Sequence, residues 1–186
     1  MRCFIAVDLP KDIKTHIHAM QNEFKIFENL DIVNTKQLHS TLIFLGDMDN
    51  SKIEKTKDIL AKVVGFHGPT KCRLGDLGVF PNSDYIRVLW VAIIDDGALS
   101  KLQNDLQFNL RKHGIYESDK PFMAHMTIAR VRNSKNKHAI LSILEKNKDF
   151  KTGYFEIDEI KLKESILSPG GPVYHDIAVY KLRESA

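Results

Sequence analysis

Cysteine is scarce in this chain: only Cys3 and Cys72 occur in 186 residues. With no CxxC spacing, neither a disulfide framework nor a structural zinc site is expected, and two buried free thiols are the simplest reading. Long apolar runs are missing too. The stretch Val88–Ile94 falls far short of the roughly 20 residues of a membrane helix, so no span is expected. The opening "MRCFIAVDLPKD" has neither a long apolar run nor a small-residue cleavage site; it reads as a first strand, and a cytoplasmic location is expected. There is no HExxH, no GxxxxGK[ST] and no carboxylate cluster at metal-ligand spacing, so no metal and no cofactor are expected. Neither sign of charge dominates. Lys plus Arg number 27 against 24 Asp plus Glu, and the net charge of +3 permits a polyanionic partner without requiring one. A hydrophobic share of 43% with 27% charged residues excludes a disordered or fibrous chain.

What is present has an order. "MRCFIAVDL" reads as a strand, and Pro10 opens a helix to about Glu28 with Ile13, Ile17, Met20, Phe24 and Phe27 at helical spacing. A strand over residues 38–45 follows. Ser51 and Glu54 have the spacing of a capping box, predicting a helix to Val64 before Gly65. "CRLGDLGVF" is an interrupted strand that ends in the turn "PNSD". "YIRVLWVAII" is then a strand, Asp95 to Gly97 a turn, and Leu99, Leu102, Leu106 and Leu110 mark a helix stopped by Gly114. "FMAHMTIARV" is a strand, residues 137–147 a helix, "YFEIDEIKLKESIL" one long strand, and "SPGGPVYHDIAVYKL" a turn and a final strand.

The second half repeats the first. Both run strand, helix, strand, helix, strand, and "FIAVD" at 4–8 resembles "WVAIID" at 90–95. We expect one unit over residues 1–186, internally duplicated as 1–82 and 83–168, with a C-terminal strand over 173–182. Consecutive strands without an intervening helix favour an α+β fold with mainly antiparallel sheets over a doubly wound one.

The central strand of each half carries His-x-Thr: "LHSTLIFLG" at 38–46 and "AHMTIARVR" at 124–132. Residues i and i+2 of a strand share a face, so His39 projects with Thr41, and His125 with Thr127. Eight histidines and seven threonines would yield about 0.3 such tripeptides by chance, so two at equivalent places in a repeat carry weight. If the halves face each other across a pseudo-twofold axis, two imidazoles converge. One neutral ring can then take a proton from an attacking water while the other, protonated, gives one to a departing alkoxide, as displacement at a phosphodiester requires. The threonine hydroxyls can hydrogen-bond phosphoryl oxygens.

These two motifs, with the blocks "FIAVDLP", "GVFP", "RVLW" and "GGPVY", resemble the 2H phosphoesterase superfamily and, within it, the RNA 2′,3′-cyclic phosphodiesterase branch of LigT-like proteins, the 2′-5′ RNA ligase family. The resemblance spans essentially the whole chain. It implies a bilobal α+β fold whose two lobes of mainly antiparallel sheet line a central cleft, with helices outside. It implies metal-independent opening of a terminal 2′,3′-cyclic phosphate on RNA, tRNA fragments included, to a 2′-phosphate, and also reversible joining of RNA ends through a 2′-5′ linkage. By the family's usual assignment His39 is the proton donor and His125 the acceptor, with Thr41 and Thr127 on phosphate oxygens. Arg130 matches a frequent HxTxxR extension and would bind phosphate. Strict alternation, however, puts Arg130 on the face opposite His125, so it needs a strand end or a bulge to reach the cleft. Ala124 stands where the family often has proline.

Other features have ordinary explanations. His16 and His18 diverge on a helix; His67, His113, His138 and His175 fall near turns or ends, where exposure is expected. Phe44, Tyr85, Trp90 and Tyr174 could stack a base, although core packing explains each more simply. Arg87 faces either solvent or the cleft. The basic residues from Arg130 to Lys151 form a solvated helix face or a phosphate-attracting rim. A monomer is expected. The alternative functions are a 2H enzyme for 2′,5′-oligoadenylates or small cyclic nucleotides, and a noncatalytic RNA-binding module.

Overall fold

The computed structural model describes residues 1–118, 121–133, 135–168 and 171–183. It is an α+β fold of two antiparallel sheets. The strands are β1 (Arg2–Asp8), β2 (Leu30–Ile32), β3 (His39–Asp47), β4 (Thr70–Pro81), β5 (Ile86–Ile94), β6 (His125–Val131), β7 (Phe155–Ile157), β8 (Glu159–Ser168) and β9 (Gly171–Lys181). The helices are α1 (Lys11–Phe24), α2 (Asn50–Val63), α3 (Ala98–Lys112) and α4 (Lys137–Lys146). The first sheet has the order β3-β1-β8-β9 and the second β2-β6-β5-β4-β7.

Each sheet thus mixes strands from both halves of the chain. β4 leaves β1 and β3 to pair with β5, and β8 leaves β5 and β6 to pair with β1. The helices cross over in the same sense: α1 follows β1 but packs on β6, whereas α3 follows β5 but packs on β3. Their apolar stripes do this by burying Ile13, Ile17, Met20 and Phe24 from α1 and Leu99, Leu102, Leu106 and Leu110 from α3, in one continuous core. Cys3 and Cys72 are free and buried in it, and burial pushes the Cys72 thiol up to about 12. No helix of the described residues is long and apolar enough to cross a membrane.

Four expectations are corrected. The first helix stops at Phe24, short of Glu28, and the short strand β2 follows it. The cap of α2 is Asp49, whose carboxylate accepts from the Lys52 amide at 2.8 Å, so no Ser51–Glu54 capping box forms. The stretch "YFEIDEIKLKESIL" is two strands in different sheets, divided at Asp158, where the Asp158 carbonyl accepts from the Leu182 amide and its carboxylate from Lys181. His67 is buried, because its ring pairs with Asp105 of α3 at 2.9 Å. The interruption in "CRLGDLGVF" is a bulge: Asp76 has φ 51°, and the register of β4 on β5 shifts between Gly75 and Leu77. In the turn "SPGG", Pro169 and Gly170 lie outside the described residues; Ser168 pairs with Gly171.

Candidate active site

β3 belongs to the first sheet and β6 to the second, and the cleft between the sheets receives a histidine from each. His39, Thr41, His125, Thr127 and Arg130, together with Gln37 and Tyr174, line one cavity of about 70 Å³. That is space for a group of phosphoryl size, since a water's share of liquid volume is about 30 Å³. A wider groove of about 410 Å³ opens beside it and shares His39, Thr41, Arg130 and Tyr174. Neither His125 nor Thr127 lines this groove. The site is therefore lopsided, with open volume on the His39 side.

Both imidazoles are held in one way. His39 Nδ1 lies 2.7 Å from the Gln37 carbonyl, and His125 Nδ1 lies 2.7 Å from the Met123 carbonyl, each two residues upstream. A carbonyl only accepts, so each Nδ1 carries a hydrogen and donates it, and the neutral ring presents Nε2 as its free base. An aromatic ring steadies each imidazole as well: Phe4 at 5.0 Å from His39, Phe80 at 5.0 Å from His125. Tyr174 adds an edge contact to His39 at 4.9 Å. Burial pushes the His39 pKa below its ordinary value of 6.5, and Lys163 and Lys14 add to this against the Gln37 carbonyl and Asp8.

Arg130 reaches the cleft by a bulge. Leu89 pairs with Ala129 and Trp90 with Thr127, so Ile128 is an extra residue and the alternation of β6 inverts after it. Ile128 and Ala129 are consecutively buried, and Arg130 emerges on the face of His125 and Thr127. The freed Ile128 carbonyl accepts from the Val33 amide at 3.0 Å and from the buried Gln21 side chain at 2.9 Å. β3 does the same. Ile5 pairs with Ile43 and Ala6 with Thr41, leaving Leu42 extra, and Phe44 emerges into the wider groove. His-x-Thr-x-x-Arg and His-x-Thr-x-x-Phe are thus equivalent in geometry, one ending in a cation and the other in a ring.

Behind His39 lies a charged network. Lys163, 7% exposed, bonds Asp8 at 3.2 Å and Asp176 at 2.6 Å, and Lys161 bonds both carboxylates as well. Burial pushes Asp8 and Asp176 up, but these lysines hold both below the ordinary carboxylate range.

The weaker candidates divide. Phe44 and Tyr174 line the groove; Trp90 packs against Gly78 and toward His125; Tyr85 is exposed with Arg87 stacked on it at 5.2 Å. His16, His18 and His113 are exposed. The sequence pattern passed over Gln37, whose carbonyl accepts from His39 Nδ1, Gln21, which donates to the Ile128 carbonyl, and Arg2, which lines the wider groove; none of these placements has a local signature.

The family model of the 2′-5′ RNA ligase superfamily matches residues 9–165. The chain belongs to this superfamily. Among 2′-5′ RNA ligase superfamily relatives, the RNA 2′,3′-cyclic phosphodiesterase of Methanocaldococcus jannaschii is 37% identical over 177 residues, covering 95% of this chain and 98% of that one. The RNA 2′,3′-cyclic phosphodiesterase of Archaeoglobus fulgidus is 33% identical over 181 residues, covering 97% and 100%. A crystal structure from Thermus thermophilus matches with a TM-score of 0.84 at 26% identity, covering 98% of each chain. That of Escherichia coli LigT in apo form matches at 0.79 with 23% identity and 98% of each chain, which shows that the fold is shared.

Proposed function

We propose that this chain is a phosphodiesterase that opens the 2′,3′-cyclic phosphate at an RNA end to a 2′-phosphate, and that His39 is its general acid and His125 its general base. The observation that carries the reading is the single cavity lined by both imidazoles, both threonines and Arg130. The phosphoryl group sits there. Thr41, Thr127 and Arg130 bind its nonbridging oxygens, where charge gathers as phosphorus becomes five-coordinate. His125 Nε2 takes a proton from water as the water oxygen bonds to phosphorus. The P–O3′ bond breaks, and the Nε2–H of protonated His39 gives its proton to O3′, leaving a 3′-hydroxyl and a 2′-phosphate.

The lopsided cleft supports this assignment of roles. O3′ belongs to the nucleoside, which needs space, whereas the attacking water does not, and the groove of about 410 Å³ adjoins His39 alone of the two histidines. Burial favours neutral His39 in the empty site, and the bound phosphate anion reverses this by stabilising the imidazolium. The names of the relatives from Methanocaldococcus jannaschii and Archaeoglobus fulgidus agree with the substrate. With the 5′-hydroxyl of a second RNA in place of the attacking water, the same site joins RNA ends through a 2′-5′ bond: His125 takes the hydroxyl proton, the P–O3′ bond breaks and His39 protonates O3′, and in the reverse cleavage the histidines exchange roles.

His39→Ala and His125→Ala, assayed on an oligonucleotide ending in a 2′,3′-cyclic phosphate, should each lose about 10²–10⁴-fold in kcat while RNA affinity is largely kept. Phosphorus NMR should show a 2′-phosphate product. Unchanged turnover in either variant, or a 3′-phosphate product, would overturn the assignment. Loss of binding without any wild-type turnover would favour an RNA-binding module instead.

A further inference from the structure

Two guanidiniums share the groove beside His39. Arg130 stands where the groove meets the phosphate cavity, since it lines both. Arg2 lines only the groove. Arg2 lies two residues beyond Phe4 on β1, a step of about 7 Å farther from His39, whose ring Phe4 touches. Phe4, Phe44, Leu167, Pro172 and Tyr174 make the rest of the groove mostly apolar, with Ser165 among them, and no carboxylate of the described residues lines it. Arg2 is exposed and forms no ion pair among the described residues. Its guanidinium is nevertheless placed, 5.0 Å from the centroid of the Phe44 ring that the β3 bulge turns into the groove.

One cation at the phosphate cavity and a second in a mostly apolar groove beside it suit a ligand with two phosphates separated by a nucleoside. Given the phosphodiesterase reading above, Arg130 takes the cyclic phosphate. We propose that Arg2, held over Phe44, binds the phosphodiester on the 5′ side of the terminal nucleotide, so that the enzyme selects chain ends over free nucleoside cyclic phosphates. Its planar fork suits a phosphodiester, and stacking on Phe44 removes much of the side-chain freedom that an exposed ion pair would otherwise lose on binding.

The test uses three probes: adenosine 2′,3′-cyclic phosphate, the same compound with a 5′-phosphate, and ApA ending in a 2′,3′-cyclic phosphate. For the wild type, kcat/KM should be about tenfold higher on each of the latter two than on the first, the difference lying in KM. Arg2→Ala should bring the three to near parity, and Arg2→Lys should restore part of the preference. A wild type without preference, or Arg2→Ala with the preference intact, would overturn the proposal. A preference for ApA alone would also overturn it, since the second base and not the phosphate would then be read. Failure of the wild type to open any of the three has a separate signature: it removes the phosphodiesterase reading itself.

Discussion

His39 is a residue whose surroundings oppose its proposed task until substrate arrives. Burial pushes its pKa below 6.5, so the empty site holds a neutral ring at neutral pH. A general acid must be protonated, and a phosphate anion in van der Waals reach of the ring raises its pKa. The two states of the enzyme should therefore titrate differently. In kcat/KM, which reports the free enzyme, the alkaline limb should fall at lower pH than in kcat, which reports the substrate complex. His39→Ala should abolish that limb in both profiles. Coincident alkaline limbs in the wild type would remove His39 as the acid.

Among the elements, β4 does more than complete a sheet. Its Phe80 abuts the His125 ring, and its Gly78 lies under the Trp90 ring of β5, so closely that an added Cβ would stand 2.1 Å from the indole. Glycine is needed there because the ring occupies the space of a side chain. Gly78→Ala should cost about 1–3 kcal/mol of stability, measured by denaturant unfolding, and should lower kcat by displacing the rings that hold His125. Stability equal to wild type would show that Trp90 moves aside freely. The bulges in β3 and β6 are the other decisive elements. The extra residue just after each threonine, Leu42 in β3 and Ile128 in β6, sets whether the third residue after the threonine faces core or cleft, and here both Phe44 and Arg130 face the cleft.

Across the whole molecule the candidate cleft is a seam between two sheets that each take strands from both halves of the chain. Because β4 and β8 each complete the sheet of the other half, and one core runs through both, neither sheet closes its edge without the other half of the chain. We propose that the two lobes fold as one cooperative unit. Trp90 is the only tryptophan and lies in the sheet of His125, so its fluorescence reports one sheet while far-UV circular dichroism reports both. The two signals should give a single coincident transition. Separate midpoints would mean that the lobes unfold independently and that the cleft is lost before either lobe.

Much of this was legible in the residues alone. Apolar spacing marked α1 and α3, alternation marked the long strands, and the strand period of two placed His39 with Thr41 and His125 with Thr127, because these are consequences of local backbone geometry, whereas the capping box read for α2 did not form. Local geometry also set the condition on Arg130, which needed a strand end or a bulge to reach the cleft, and the register shift in β6 supplies the bulge. Pairing partners do not follow from local pattern. Which sheet β4 or β8 joins, where a strand gains an extra residue, that "YFEIDEIKLKESIL" breaks at Asp158, and that open volume lies beside His39 with Arg2 at its end all depend on register between distant segments. The sequence by itself determined which side chains the proposed chemistry rests on, since side-chain type and strand parity are written residue by residue. Only the tertiary structure decided how they face one another, because that is fixed by burial shared across the whole core.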